Sequence, residues 1–173
     1  ELELVIWGVD AEAGRRSTAL RWARSRAEDR ERGSDARGTD RARLLDEARS
    51  RLRAGTGRVI YIEPSVVARS GTRAQLEYSG GSGSVMRVTA KPTVLESGEI
   101  SVDLGVRLEQ TGFSERGQWD RIRFARPAVA FGSRPLALRS GESSGVRLDK
   151  EVGIVESPEK LEVFAFVRAR LVD

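Results

Sequence analysis

The sequence predicts a β-rich α+β domain in which an antiparallel sheet carries one helix. Residues 57–173 break into short apolar runs separated by turns rich in Gly, Ser and Pro, which is typical of successive strands. Residues 100–109 alternate strictly between apolar and polar side chains, as a strand with one dry face does. Only residues 39–54 have clear helical spacing. With 173 residues and 19.0 kDa, the chain is predicted to form a single domain over residues 1–173.

Residues 1–9 are predicted to form the first strand. Leu2 and Leu4 share one face of it, while Val5 and Trp7 share the other. Because both faces are apolar, we expect this strand to be covered on both sides.

Residues 10–38 are predicted to be a charged, mobile insertion. Arg, Glu, Asp, Ala, Ser and Gly dominate this stretch, and Leu20 and Trp22 are its only large apolar residues. A short helix over residues 17–32 fits the Ala and Arg content, but we see no apolar stripe that would hold such a helix against a core.

Residues 39–54 are predicted to form a helix that packs on the sheet. Thr39 or Asp40 can cap its start, and Gly55 stands where a helix C-terminus favours glycine. Its apolar residues fall on one face at helical spacing: Leu44, Leu45, Ala48 and Leu52.

The β region is predicted over residues 57–173. Its strands are expected at residues 58–63, 65–68, 73–79, 85–95, 100–109, 119–124, 127–138, 145–155 and 161–172. In the alternating strand, the residues predicted to face a core or a barrel wall are Ile100, Val102, Leu104, Val106 and Leu108. The residues predicted to face water are Ser101, Asp103, Arg107 and Glu109. This period fits a sandwich or a barrel equally well.

The composition excludes most catalytic designs. The chain has no Cys and no His, so it lacks thiol nucleophiles, imidazole bases and the usual zinc ligands. Lys91, Lys150 and Lys160 lie in no recognisable motif and are interpreted as surface charges. We therefore predict a protein that is not an enzyme, with no catalytic, cofactor-binding or metal-binding residues.

The charge pattern does not favour nucleic acid as a partner. The formal net charge is only +4, and acidic residues are interleaved with the arginines between Arg15 and Arg53. Trp22 is the one residue in that segment that could stack on a base. We expect a self-neutralised, solvated segment.

Motifs in the β region resemble the C-terminal domain of bacterial secretins, the ring-forming outer-membrane channels of type II secretion and type IV pilus systems. In that family a strand ends at a Pro, a Val follows two residues later, and a small Ala enters the next strand ten residues after the Pro. Pro64, Val66 and Ala74 stand at these offsets. Pro92 and Gly98 are similar to the Pro and the turn Gly before the family's long alternating strand.

The end of the chain is also similar to this family. The family's closing strand often ends in Arg, an aliphatic residue and Val, as Arg170, Leu171 and Val172 do. A strand, a variable insertion and a helix precede the Pro strand in the family, as residues 1–57 do in this chain.

The resemblance implies a homo-oligomeric ring whose strands contribute to a shared β-barrel. It would serve in the bacterial cell envelope, in the outer membrane or periplasm, as a conduit for a secreted protein or a pilus. The implied partners are copies of the same chain and other envelope components, and membrane association is compatible with this interpretation. The alternative left open is a non-enzymatic β-sandwich binding module that recognises a protein or a glycan through its loops.

Overall fold

The computed structural model shows two helices and ten strands. It describes residues 1–12, 14–31, 38–55, 58–79, 84–116, 120–133, 135–150 and 161–172. The helices are α1 (Thr18–Glu31) and α2 (Gly38–Arg53). The strands are β1 (Leu2–Asp10), β2 (Arg58–Ile62), β3 (Ser65–Val66), β4 (Ala74–Ser79), β5 (Ser84–Val94), β6 (Ile100–Arg116), β7 (Asp120–Gly132), β8 (Leu136–Leu138), β9 (Ser143–Lys150) and β10 (Leu161–Ala169). The predicted fold class, a β-rich α+β domain with an antiparallel sheet, is confirmed.

All ten strands belong to one curled sheet with the order β2-β1-β10-β9-β7-β6-β5-β4. β3 lies beside β1, and β8 lies beside β6. The sheet folds over at the contact between β9 and β7, where Phe131 pairs with Lys150 and Gly132 pairs with Asp149. We call the part formed by β2, β3, β1, β10 and β9 the central sheet, and the part formed by β4, β5, β6, β7 and β8 the outer sheet.

Two apolar cores divide the domain into three layers. The first core lies between the two sheets and includes Leu4, Ile6, Val102, Val106, Phe131, Val163 and Val167. The second core lies between the helices and the central sheet and includes Val5, Trp7, Leu20, Leu45, Leu52, Phe164 and Phe166. β1 and β10 are therefore buried on both faces, because the outer sheet covers one face and the helices cover the other.

The second helix lies where the sequence predicts one. Leu45, Ala48 and Leu52 of α2 are fully buried, and the N–H of Gly55 donates to the carbonyl of Leu52 at 3.2 Å. A Cβ at Gly55 would meet Trp7 and Ala19 at 3.2 Å. Glycine therefore allows the end of α2 to approach β1 and α1 closely.

The prediction of a solvated insertion over residues 10–38 is wrong for α1. Leu20, Ala23 and Ala27 are buried against the central sheet, and the Trp22 ring stacks on Phe166 with the centroids 5.1 Å apart. The stripe was missed because two of its members are alanines, which add little hydrophobic signal. Their small side chains nevertheless let a helix pack closely on a sheet. Residues 32–37 of the predicted insertion lie outside the described residues.

The strands after β6 differ from the predicted boundaries. The strands predicted at residues 119–124 and 127–138 become the continuous β7 followed by the short β8. β8 is a separate strand because it, and not β7, pairs with the start of β6. There Leu138 pairs with Ile100. Trp119 and residues 151–155, which were also predicted to be in strands, lie outside the described residues.

A substitution at Leu20 tests whether α1 is part of the core. Leu20→Ala should lower the free energy of unfolding by about 2–4 kcal/mol, because it leaves a cavity between α1 and the central sheet. Arg21→Ala, which changes the exposed neighbour, should change it by less than about 0.5 kcal/mol. Urea denaturation followed by circular dichroism measures both. Equal midpoints for the two variants would contradict the packing of α1.

Candidate functional site

In the described residues, the curled sheet does not close on itself. Its hydrogen-bonded path begins at β2 and ends at β4, so β4 has β5 on one side and no strand on the other within the described chain. Unpaired N–H and C=O groups along a strand are a template for pairing with another chain. The outer side of β4 is therefore the first candidate interaction edge.

In the part of the chain that the structure describes, the outer sheet has a second margin along β7. β6 lies along one side of β7, from Asp120 to Gly132. On the other side, β9 reaches only Phe131 and Gly132. Within the part of the chain that the structure describes, no strand lies beside residues 120–130 on that side. Within the described residues, the four-stranded run from β4 to β7 therefore has no strand beyond β4 and only the short contact with β9 beyond β7.

The margin of the central sheet at β2 is better protected than the edge at β4. β2 has only five residues, the guanidinium groups of Arg53 and Arg58 lie over the Tyr61 ring at 6.0 and 5.6 Å, and Pro64 follows. Short edge strands, charged side chains and proline are the usual devices that prevent strand addition. β4 has six residues, one charge at Glu77 and no proline, whereas residues 120–130 of β7 contain Pro127 and four charged residues. We therefore place the candidate site on the outer sheet.

The alternating strand places its two predicted faces on opposite sides of the outer sheet. Ile100, Val102, Leu104 and Val106 are buried between the two sheets, and Leu108 is half-buried against the same core. On the other face, Asp103 and Arg107 are exposed and Ser101 is half-buried. The Glu109 side chain lies outside the described residues.

The first group of residues that carries the secretin resemblance lies between β2 and β4. Pro64 is buried between β2 and β3, and its carbonyl accepts a hydrogen bond from the N–H of Leu4 at 2.8 Å. Val66 pairs with Leu2 of β1. Ala74 is the first residue of β4, the edge strand. This segment therefore carries the chain from the central sheet to the open edge of the outer sheet.

The second group of residues that carries the secretin resemblance lies near the end of β5, in the turn that follows it, and after the last strand. Pro92 is buried within β5, and Gly98 adopts a φ of 81° in the turn to β6, a conformation that favours glycine. The closing strand was predicted to extend to residue 172, but β10 ends at Ala169. Arg170, Leu171 and Val172 follow it and are exposed.

A buried arginine fastens α2 to the central sheet. Arg168 of β10 donates to the Ala42 carbonyl at 2.8 Å, to the Asp46 carboxylate at 2.7 Å and to the Ser143 hydroxyl at 3.3 Å. Glu3 of β1 lies 3.9 Å from its guanidinium. The hydrogen bond from Arg168 lowers the pKa of Asp46. Arg168 thus joins α2, β9 and β1 through one side chain.

A second ion pair fastens α1 to the same sheet. Glu162 of β10 is buried and accepts two hydrogen bonds from Arg24, of which the one from Nε measures 3.1 Å. Arg147 of β9 lies 3.9 Å from the same carboxylate. The hydrogen bonding to Arg24 lowers the pKa of Glu162. Sequence analysis missed both clusters, although charged residues inside the apolar closing strand were a signal that they have partners.

Comparisons with known proteins do not assign the chain to a family. No protein-family model, no curated protein and no solved structure matches it. No helix that the structure describes is long and apolar enough to cross a lipid bilayer. Within the described residues, no group of three or more acidic side chains could hold a metal ion. A functional interpretation therefore depends on the sheet edges and on the surfaces beside them.

The pH dependence of the free energy of unfolding tests the ion pair between Glu162 and Arg24. Because its folded-state pKa lies below the ordinary value of 4.5, its contribution is present above that pH and is lost as the pH falls through the folded-state pKa. Glu162→Gln should destabilise the protein by about 1–3 kcal/mol at pH 7. The difference in the free energy of unfolding between the variant and the wild type should become smaller as the pH falls from about 5 to about 3.

Glu47→Gln is the matched control, since Glu47 pairs with Arg51 on the exposed side of α2. It should change stability by less than about 0.5 kcal/mol. Chemical denaturation across the pH series measures both effects. If the destabilisation by Glu162→Gln does not change with pH, the stabilising role assigned to this carboxylate is contradicted.

Proposed function

We propose that this chain assembles into a homo-oligomeric ring that acts as a channel component of the bacterial cell envelope, in the manner of a secretin. In this proposal it is a conduit for a secreted protein or a pilus and performs no catalysis. The observation that carries the proposal is that, among the described residues, β4 has no strand on its outer side and residues 120–130 of β7 have none opposite β6. Copies of the chain can satisfy both edges at once.

The direction of the strands supports closure into a ring. The run β4-β5-β6-β7 is antiparallel throughout, so its two edge strands point in opposite directions. A copy rotated about a ring axis keeps those directions, and β4 of one copy therefore lies antiparallel to β7 of the next. Every junction can then form the same antiparallel ladder. Repetition around the axis removes all edges of the outer sheet.

The two faces of the outer sheet also suit a barrel wall. The described side chains of one face, such as Val102 and Val106, pack on the central sheet, which the helices cover in turn, so this part of the wall needs no further apolar partner. The other face presents polar and charged groups, among them Asp103 and Arg107. A ring closed through these strands would present the polar face to water and could line an aqueous conduit.

One observation favours the alternative, a monomeric or dimeric β-sandwich binding module. The large apolar side chains that are exposed in the described chain all lie in or next to turns, or after the last strand: Val67, Val94, Leu95, Leu171 and Val172. Exposed apolar residues on turns can form a recognition surface for a protein or a glycan. This alternative predicts a chain that stays monomeric or dimeric and forms no ring.

Disulfide cross-linking tests the proposed junction. Because the chain has no cysteine, Ser79→Cys on β4 can be mixed with single-cysteine variants at each position from 120 to 126 on β7. Oxidation should give heterodimers at alternate positions only, because successive side chains of a strand point to opposite faces. Negative-stain images and native mass of the wild-type protein should show closed rings under the same conditions.

Arg58→Cys on the exposed margin of the central sheet is the matched control, and it should not cross-link to the β7 series. Non-reducing gel electrophoresis reads out all pairs. A wild-type chain that remains monomeric at high concentration, in buffer and in detergent, would contradict the ring and favour the binding module.

A further inference from the structure

We propose that the end of the domain at which β1 begins is a contact surface between two copies of this chain, related by a two-fold axis. We call this surface the apolar end, and it consists of residues 67–73, 94–99, 139–142 and 170–172. The proposal goes beyond the ring and does not depend on it, because single chains and rings can both pair through this end.

Strand pairs and hydrogen bonds bring the first two of these segments to the start of β1. Val66 pairs with Leu2, so Val67 lies beside the beginning of the chain. On the other side of β1, the N–H of Arg170 donates to the carbonyl of Glu1 at 2.8 Å. Residues on both sides of β1 therefore reach the same end of the central sheet.

The other two segments lie at this end as well. The N–H of Leu171 donates to Oγ of Ser140 at 3.0 Å, which places the turn of residues 139–142 beside the end of the chain. β8 precedes that turn and pairs with the start of β6, so the turn from β5 to β6 is also there. The N–H of Val94 donates to Oγ of Ser70 at 2.9 Å. The four segments thus surround one end of the apolar core between the two sheets.

The apolar end holds the exposed large apolar side chains of the described chain. Val67 is 73% exposed, and Leu171 and Val172 are 53% and 59% exposed. Val94 and Leu95, at the end of β5, are 42% and 39% exposed. Single exposed apolar residues are ordinary on a protein surface, whereas a group of five at one end is typical of an interaction surface.

The charges of the apolar end indicate that its partner is a second copy. Arg69 and Arg73 are exposed, and in the part of the chain that the structure describes their side chains have no hydrogen bond or ion pair. The same holds for Glu96 on the adjoining turn, where Glu99 adds a second carboxylate. These charges cancel, so the surface is complementary to itself and does not favour a partner of one sign, such as an anionic bilayer.

A two-fold axis in the contact plane matches both signs at once. The hydrogen bond from Val94 to Ser70 holds the basic loop, residues 67–73, beside the acidic turn, residues 94–99. Rotation about an axis midway between them places the basic loop of each copy over the acidic turn of the other. The exposed apolar side chains beside these two segments are covered in the same contact, which removes them from water.

Charge reversal followed by mixing tests this contact. Arg69→Glu/Arg73→Glu and Glu96→Arg/Glu99→Arg should each raise the concentration of half-maximal pairing by about tenfold or more, because like charges then face each other across the axis. An equimolar mixture of the two variants should pair near the wild-type concentration, since opposite charges again face each other. Sedimentation equilibrium measures pairing as a doubling of mass, whether the unit that pairs is a single chain or a ring.

Two further variants complete the experiment. Leu95→Asp should also raise the concentration of half-maximal pairing, because it places a charge in the apolar part of the contact. Arg43→Glu reverses an exposed cation on α2, away from the apolar end, and should pair like the wild type. Thermal melting confirms that each variant is folded before its mass is measured.

The outcomes separate this contact from the proposed ring. Wild-type protein whose mass does not double would overturn the contact, and rings could still form. Unimpaired pairing of both charge variants, or pairing that does not recover on mixing, would overturn it as well. Wild-type protein that floats with vesicles of phosphatidylglycerol and phosphatidylethanolamine without doubling would assign the surface to a bilayer instead. Doubling without rings would support the contact and overturn the ring.

Discussion

Backbone hydrogen bonding at the sheet margins is the constraint on which this account depends. A strand presents N–H and C=O groups on both sides, and a stable arrangement pairs them, covers them or exposes them to water behind a protective device. The margin at β2 has such devices, in its short length, its arginines over Tyr61 and the following proline. In the described chain, β4 and residues 120–130 of β7 lie at the two margins of one antiparallel run, and no further strand pairs with them there.

The rest of the fold holds these two edges in a fixed relation. β1 and β10 are buried on both faces and form the middle layer of the domain. Arg168 and Glu162 on β10 bind both helices to one face of this layer through hydrogen bonds. The outer sheet packs on the opposite face of the layer through the apolar core between the sheets. This layering packs the described apolar face of the outer sheet against the central sheet, and an edge that is ordered before association lowers its entropic cost.

The features that were predictable from sequence are those determined by neighbours along the chain. The alternation around Leu104 and the leucine face of α2 follow from local periodicity, and the structure has a strand and a helix there. The packing of α1 was missed because Ala23 and Ala27 carry little hydrophobic signal. The partners of Arg168 and Glu162 lie as many as 138 residues away in sequence, so only the folded chain brings them together. The division into β7 and β8 likewise depends on which residues pair with the start of β6, and no local sequence pattern indicates that pairing.

Amide hydrogen exchange, compared between dilute and concentrated protein, tests the central claim most directly. The account predicts that alternate amides of β4 exchange at least about tenfold more slowly at the higher concentration, because their N–H groups gain partners on β7 of another copy. The amides of β2 should exchange at the same rate at both concentrations. Exchange in β4 that does not depend on concentration, or new protection at β2 instead, would contradict the account.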